Sequence, residues 1–115
     1  MNIEEIREYC LSKPYTEEGF PFDEDTLVFK VFGKMFLLIS LSNPDSINVK
    51  CEPELAIELR EKYSEVIPGY HMNKKLWNTV FVNGSIKSKE LQGMIDHSYQ
   101  EVVKTLPKKT QALIK

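Results

Sequence analysis

The side chains with the most chemistry crowd into one stretch, Pro68 to Val82, PGYHMNKKLWNTVFV. It holds the only tryptophan, Trp77, and one of two histidines, His71, with Tyr70 beside it. Asn73, Asn78 and the adjacent Lys74 and Lys75 complete the group. A histidine titrates near neutral pH and can serve as base or ligand. Nucleophilic catalysis would also need a Ser, Thr or Cys in contact with it, and Cys51 is the thiol that a neighbouring strand could bring there. A triad is recognised by geometry and not by the presence of its residue types, so His71 is read as a structural or binding residue. No spacing pairs carboxylates for acid–base work. Gly69 and Gly84 each stand alone, so no glycine-rich loop cradles a phosphate. Two Cys and two His are too few for a structural metal site unless Asp or Glu joins them. No catalytic residue, metal or cofactor is expected. His97 falls on the exposed side of the last long helix by its spacing and receives no role.

The lysines carry the sharper signal. Residues 1–67 hold seven Lys and Arg against fourteen Asp and Glu, a net −7, while residues 68–115 hold eight Lys against three acids, a net +5. A partner feels local potential more than the total of −2. Lys74, Lys75, Lys87, Lys89, Lys104, Lys108 and Lys109 form either a basic patch around Trp77 and Tyr70 or a solvated face. Lysines neutralise phosphates and aromatic rings stack on unpaired bases. Trp77, opening an alternating strand, reads first as core. The pI of 5.7 lies below that of dedicated DNA binders, and residues 68–115 contain no arginine for base-specific forks. Asn73 and Asn78 read as turn caps that bond backbone.

These residues must be held by a small core. At 115 residues, with 42% hydrophobic and 28% charged side chains, the chain suits one domain with no need of metal or disulfide staples. The N-terminus is acidic where a signal peptide would be basic, and no apolar run reaches membrane length. A cytoplasmic monomer with Cys10 and Cys51 reduced and buried is expected.

Asn2 can cap a first helix with Ile3, Ile6 and Cys10 on one side, ended at Lys13-Pro14. Tyr15 to Asp25 is an extended loop or short edge strand. Leu27–Phe32 and Met35–Leu41 read as a hairpin turning at Gly33-Lys34. That register sets Phe32 against Met35 and Phe29 against Leu38. One face then shows Leu27, Phe29, Val31, Phe36 and Leu38, and the other Val28, Phe32, Met35, Leu37 and Ile39. The second face is either shielded by the N-terminal loop or offered to a partner. Ile47–Cys51 is a third strand. Pro53 opens a helix with Leu55, Ala56, Leu59 and Tyr63 on its stripe. Val66–Met72 and Trp77–Val82 are two more strands, and Asn83-Gly84 turns the chain. Ser88 caps a long helix to about Leu106, buried through Leu91, Met94, Ile95, Tyr99, Val102 and Leu106. Ala112 to Ile114 form a short docked helix. The expectation is an α+β two-layer sandwich: an antiparallel sheet of about five strands with helices on one face, in the order α-β-β-β-α-β-β-α.

Lys30-Val31-Phe32-Gly33-Lys34-Met35-Phe36, Val49-Lys50-Cys51 with Pro53-Glu54, Pro68 to Lys74, Trp77-Asn78-Thr79-Val80 and Leu106-Pro107-Lys108-Lys109 together resemble the MmcQ/YjbR family along nearly the whole chain. The sequence departs from that family at Asp23, where relatives often have Gly. The resemblance implies an α+β domain akin to secretion-chaperone-like and frataxin-like sandwiches, and a DNA-binding-like role. Carried onto this chain, that role falls on Lys74, Lys75, Trp77, Tyr70, His71, Asn73, Lys108 and Lys109, with weak sequence selectivity. The alternative is a protein- or peptide-binding, chaperone-like module that uses the second apolar sheet face. Membrane partners are not expected.

Overall fold

A computed structural model of the chain describes residues 1–69 and 72–114. It is an α+β two-layer sandwich with helices α1 (Ile3–Leu11), α2 (Pro53–Lys62), α3 (Ser88–Val103) and α4 (Lys108–Ile114). The strands are β1 (Thr16–Gly19), β2 (Thr26–Val31), β3 (Lys34–Ser40), β4 (Ser46–Lys50), β5 (Val66–Pro68) and β6 (Trp77–Phe81). They form one antiparallel sheet in the order β1-β2-β3-β4-β6-β5. Both edges are blunted. β1 is four residues with Glu17 and Glu18 exposed, and β5 is three residues ending in proline, which discourages edge-to-edge pairing.

Local chemistry explains most boundaries. Asn2 closes a full capping box with Glu5 at the start of α1. Pro53 occupies the first turn of α2, and the Glu52 side chain accepts the N–H groups of Glu54 and Leu55. Asp23 organises the entry to β2 by accepting from the N–H groups of Asp25 and Thr26 at 2.9 and 2.6 Å. Those bonds hold its carboxyl below the usual range. The family departure at this position is therefore a satisfied turn anion. α3 begins at Ser88, but Lys87 is its cap and supplies no side-chain bond.

The hairpin turns one residue earlier than its sequence suggests. Phe32 and Gly33 are the loop residues, with φ of 47° and 79°, the pair of positive values that a type I′ turn requires. A bulge follows between Phe29 and Lys30, so Phe29 pairs with Leu37, Val28 with Leu38, and Lys30 with Met35. This exchanges Leu37 and Ile39 with Leu38 between the expected faces. Leu27, Phe29, Val31, Leu37 and Ile39 join the main core with Ile6 and Cys10 of α1 and Leu91, Ile95 and Val102 of α3. Val28 and Leu38 form a smaller cluster with Trp77 on the helix-free face, flanked by Met35, Met72 and Leu76. Phe32 is half-buried, and Tyr15, also at positive φ, stacks on it at 4.7 Å between ring centroids.

One buried hydroxyl ties the layers together. Ser98 of α3 donates to the Phe36 carbonyl and accepts from the Lys50 N–H at 2.8 Å. Beside it, Tyr99 donates to the Pro14 carbonyl at 2.6 Å, and Tyr9 donates to Asp96 at 2.6 Å. Among the described residues, no helix is long and apolar enough to cross a membrane.

Candidate functional site

The sheet register gathers several lysines at one end of the strands, where Glu52, Glu54 and Glu101 also lie, and several acids at the other. At one end lie the β2–β3 turn with Lys34, the end of β4 with Lys50, and the start of β6 with Lys74 and Lys75 just before it. α3 finishes at the same end, where Lys34 Nζ donates to Thr105 Oγ1 at 3.2 Å. Lys104 follows α3, and Lys108 and Lys109 open α4 with both side chains exposed. Lys104 is paired with Glu101 at 2.6 Å. At the opposite end of the sheet, Asp23, Glu24 and Asp25 precede β2, Asp45 precedes β4 and Glu65 precedes β5. These acids are held by local donors: Asp25 by Ser40 and the Ser42 N–H, and Glu65 by the N–H and hydroxyl of Ser85. Hydrogen bonds from those serines depress both carboxyls. Lys87 and Lys89, expected in one patch with the other lysines, instead start α3 after the β6 end of the sheet, away from Lys74 and Lys75.

Within the signature stretch, Gly69 and Trp77 are in close register. The Gly69 N–H donates to the Trp77 carbonyl at 2.8 Å. A Cβ on Gly69 would fall 2.8 Å from Trp77 Cβ, so only glycine fits. Asn73 behaves as an Asx turn, its Oδ1 accepting from the Lys75 N–H at 3.0 Å while its carbonyl accepts from Leu76 and Trp77. Lys74 and Lys75 project into solvent. Trp77 is 8% exposed and packs as core, so its indole is not an open stacking platform in this arrangement. Tyr70 and His71 lie outside the described residues, as does any pairing of His71 with Cys51.

Asn78 does not cap a turn. Its Oδ1 accepts from Arg60 Nε at 2.7 Å, and Arg60 also donates to the carbonyls of Lys74 and Trp77. The chain's other arginine, Arg7, is bound to Glu18. Neither guanidinium is held out to solvent as a free fork.

Two depressions flank the sheet. A cavity of about 250 Å³ opens on the helix side between α2 and α3, with Val49, Cys51, Asn78 and Val80 among its floor residues. His97 lines it, half-buried, and its Nε2 accepts from the Glu52 N–H at 3.1 Å. That contradicts its reading as an exposed helix residue. Burial pushes the Cys51 thiol up to about 11, with Glu101 and Glu52 adding to the effect, so it is not an activated nucleophile. On the helix-free face, a larger groove of about 610 Å³ runs between Phe22, Met35, Leu38, Ile67, Met72 and Phe81.

Fold and surface together define an α+β sandwich with a lysine cluster at one sheet end and one helix-free face. The sequence matches the YjbR family over residues 11–101. It is 34% identical over 115 residues to the Escherichia coli (strain K12) protein YjbR, covering 99% of this chain and 98% of that one. It is 34% identical over 113 residues to YbdF of Escherichia coli O157:H7, covering 97% and 93%. The fold matches the crystal structure of a Deinococcus radiodurans protein with a TM-score of 0.91 at 34% identity, covering 98% of this chain and 87% of that one. A crystal structure from Pseudomonas syringae matches with a TM-score of 0.74 at 31% identity, covering 88% and 98%. The chain belongs to the YjbR family.

Proposed function

We propose that this is a small cytoplasmic binding protein that holds nucleic acid, DNA in the first instance, by its phosphates. The observation that supports this reading is the gathering of Lys34, Lys74, Lys75, Lys108 and Lys109 at one end of the molecule, where they outnumber Glu52, Glu54 and Glu101. Such polarity orients an approaching polyanion before contact and disfavours the acidic end. Lysine is a point donor to phosphate, whereas base identity is read best by arginine forks. Both arginines are engaged within the protein, so affinity is modest, salt-sensitive and weakly selective. Lys74 and Lys75 carry the contact, with Asn73 shaping their turn and Trp77 anchoring it from beneath.

The test is anisotropy of labelled single-stranded and duplex DNA at low salt. The pair Lys74→Glu and Lys75→Glu should weaken binding by about tenfold or more, since each phosphate contact contributes additively to the counterion-release slope. The pair Lys87→Glu and Lys89→Glu, with the same charge change, should weaken it far less. Unchanged affinity in the first pair overturns the reading.

A second reading, peptide binding on the helix-free face, draws on the groove at Phe22, Ile67 and Phe81, whose side chains are partly exposed. Of the apolar residues first expected to offer that face, Val28, Leu37 and Ile39 are buried, so this reading rests on the groove alone. Phe81→Glu should abolish peptide binding there and leave DNA affinity intact; peptide binding that survives the substitution counts against it.

A further inference from the structure

The groove on the helix-free face, about 610 Å³, falls within the range of sites that take a ligand. Its lining crosses five neighbouring strands, from Thr26 of β2 through Leu38, Asn48 and Thr79 to Ile67 of β5. At about 4.8 Å per strand that is about 19 Å, the length of about six extended residues. None of the described lining side chains is charged. Phe22, 63% exposed, stands open to solvent there with Ile67 and Phe81, and exposed apolar surface gathered on one face marks an interaction site.

Charge lies just outside the groove, along one side. Asp23 accepts from the Thr26 N–H, Asp25 accepts from the Ser40 hydroxyl, and Asp45 precedes Ser46. The Glu65 carbonyl accepts from the Phe81 N–H at 2.9 Å. Thr26, Ser40, Ser46 and Phe81 all line the groove, so four acidic residues follow one long edge from the β2 side to the β5 side. Their charge is not cancelled. The donors that hold Asp23, Asp25 and Glu65 are hydroxyls and backbone N–H groups, and no ion pair among the described residues involves any of the four. The floor adds one donor. Thr79 Oγ1 donates to Asn48 Oδ1 at 2.6 Å, and Asn48 Nδ2, which is not fully buried, makes no bond to a described residue.

We propose that this groove receives a short extended peptide lying across the strands, with aromatic or branched aliphatic side chains against Phe22, Ile67 and Phe81 and Lys or Arg side chains reaching the acidic edge. The inference rests on the peptide-binding reading above and names the partner's chemistry. Lysine and arginine lay their stems over apolar surface while the charged head reaches outward, so one segment satisfies both the groove and its edge. The same edge repels acidic peptides and nucleic acid. Asn48 Nδ2 suits a peptide carbonyl.

The test is fluorescence anisotropy at low salt with three labelled peptides: Ser-Leu-Phe-Ser-Lys-Arg, Ser-Leu-Phe-Ser-Glu-Glu and Ser-Gly-Ser-Ser-Lys-Arg. The first should bind about tenfold tighter than either of the others, and its lead over the second should shrink as salt screens the edge. Phe81→Ser should weaken the first peptide by about tenfold. Asp45→Lys, at an exposed side chain, should weaken the first by about threefold and favour the second. Equal or tighter binding of the acidic peptide, still lost in Phe81→Ser, leaves a peptide groove in place and overturns its charge preference, and with it the proposal. Equal binding of the third peptide overturns it too, because charge alone would then suffice, as does unchanged affinity for the first peptide in Asp45→Lys. Absence of binding by all three overturns both the proposal and the reading beneath it. If the parent then sediments as a dimer that Phe81→Ser dissociates, the groove belongs to a second copy of this chain.

Discussion

Arg60 Nε donates to Asn78 Oδ1 at 2.7 Å, and through that one guanidinium α2 is bound to β6 and to the turn that carries Lys74. The bond joins the cavity floor to the backbone of the basic end. The signature stretch is dense because it serves both: Gly69 and Trp77 make the close strand contact, Asn73 makes the turn, and Asn78 receives the arginine.

Arg60→Ala should therefore cost about 2–4 kcal/mol, because charge-assisted bonds are lost and buried acceptors are left unpaired. Urea denaturation measures this. Arg60→Lys should recover only part of the loss, since an ammonium cannot reproduce the fork. A loss below about 0.5 kcal/mol would show that the guanidinium is incidental to the fold.

Gly69→Ala should destabilise by about 1–3 kcal/mol, the range for forced overpacking. The new methyl meets Trp77 Cβ at 2.8 Å and the Trp77 carbonyl oxygen at 2.9 Å, neither of which can swing aside. Gly84→Ala is the comparison. Its Cβ meets the Glu65 side chain, which can move aside at the expense of its bonds to Ser85 but without shifting backbone, so the cost should be smaller. Thermal melts of the two variants rank the effects.

Much of this arrangement is legible in the sequence. The Asn2 cap, the Pro53 start and the stripe of α3 follow from local rules and appear as written. The hairpin register does not, because it depends on Phe32 adopting a positive φ that glycine or asparagine would normally supply. Its stacking on Tyr15, seventeen positions away, compensates for the strain. Asn78 and His97 are misread for a related reason. Their partners, Arg60 and the Glu52 N–H, are distant in sequence, and no local pattern announces them. The end-to-end sorting of charge is invisible until the strand order is known, although the excess of lysine after Pro68 hints at it.

Alkaline pH should unfold the protein earlier than its charge alone suggests. Burial pushes the Cys10 thiol up to about 12 from 9.0, and the Cys51 thiol up to about 11 from 9.0. Burial, then the bond to Asp96, raises the Tyr9 hydroxyl to about 12 from 10.0. A raised folded value means that the fold holds the proton more tightly than the unfolded chain does. The associated stability is whole below pH 9 and declines as pH rises toward 12, at up to about 1.4 kcal/mol per pH unit for the well-buried Cys10 thiol and less for Cys51 and for Tyr9, whose hydroxyl is largely open to solvent screening. Urea midpoints between pH 8 and pH 11 measure the decline. The double variant Cys10→Ala, Cys51→Ala starts lower but should fall less steeply, and an equal slope would remove the thiols from the account.

The central claim is that the lysine end of the sheet, and not the protein as a whole, receives a polyanion. The most direct measurement is a low-salt titration of the isotopically labelled protein with a short single-stranded oligonucleotide, followed residue by residue by NMR. The backbone signals of Lys34, Lys74, Lys75, Lys108 and Lys109 should shift and return as salt is added, while those of Asp23 to Asp25, Asp45, Glu65, Lys87 and Lys89 stay in place. Shifts centred on the carboxylate end, or no shifts at low salt, would contradict the claim.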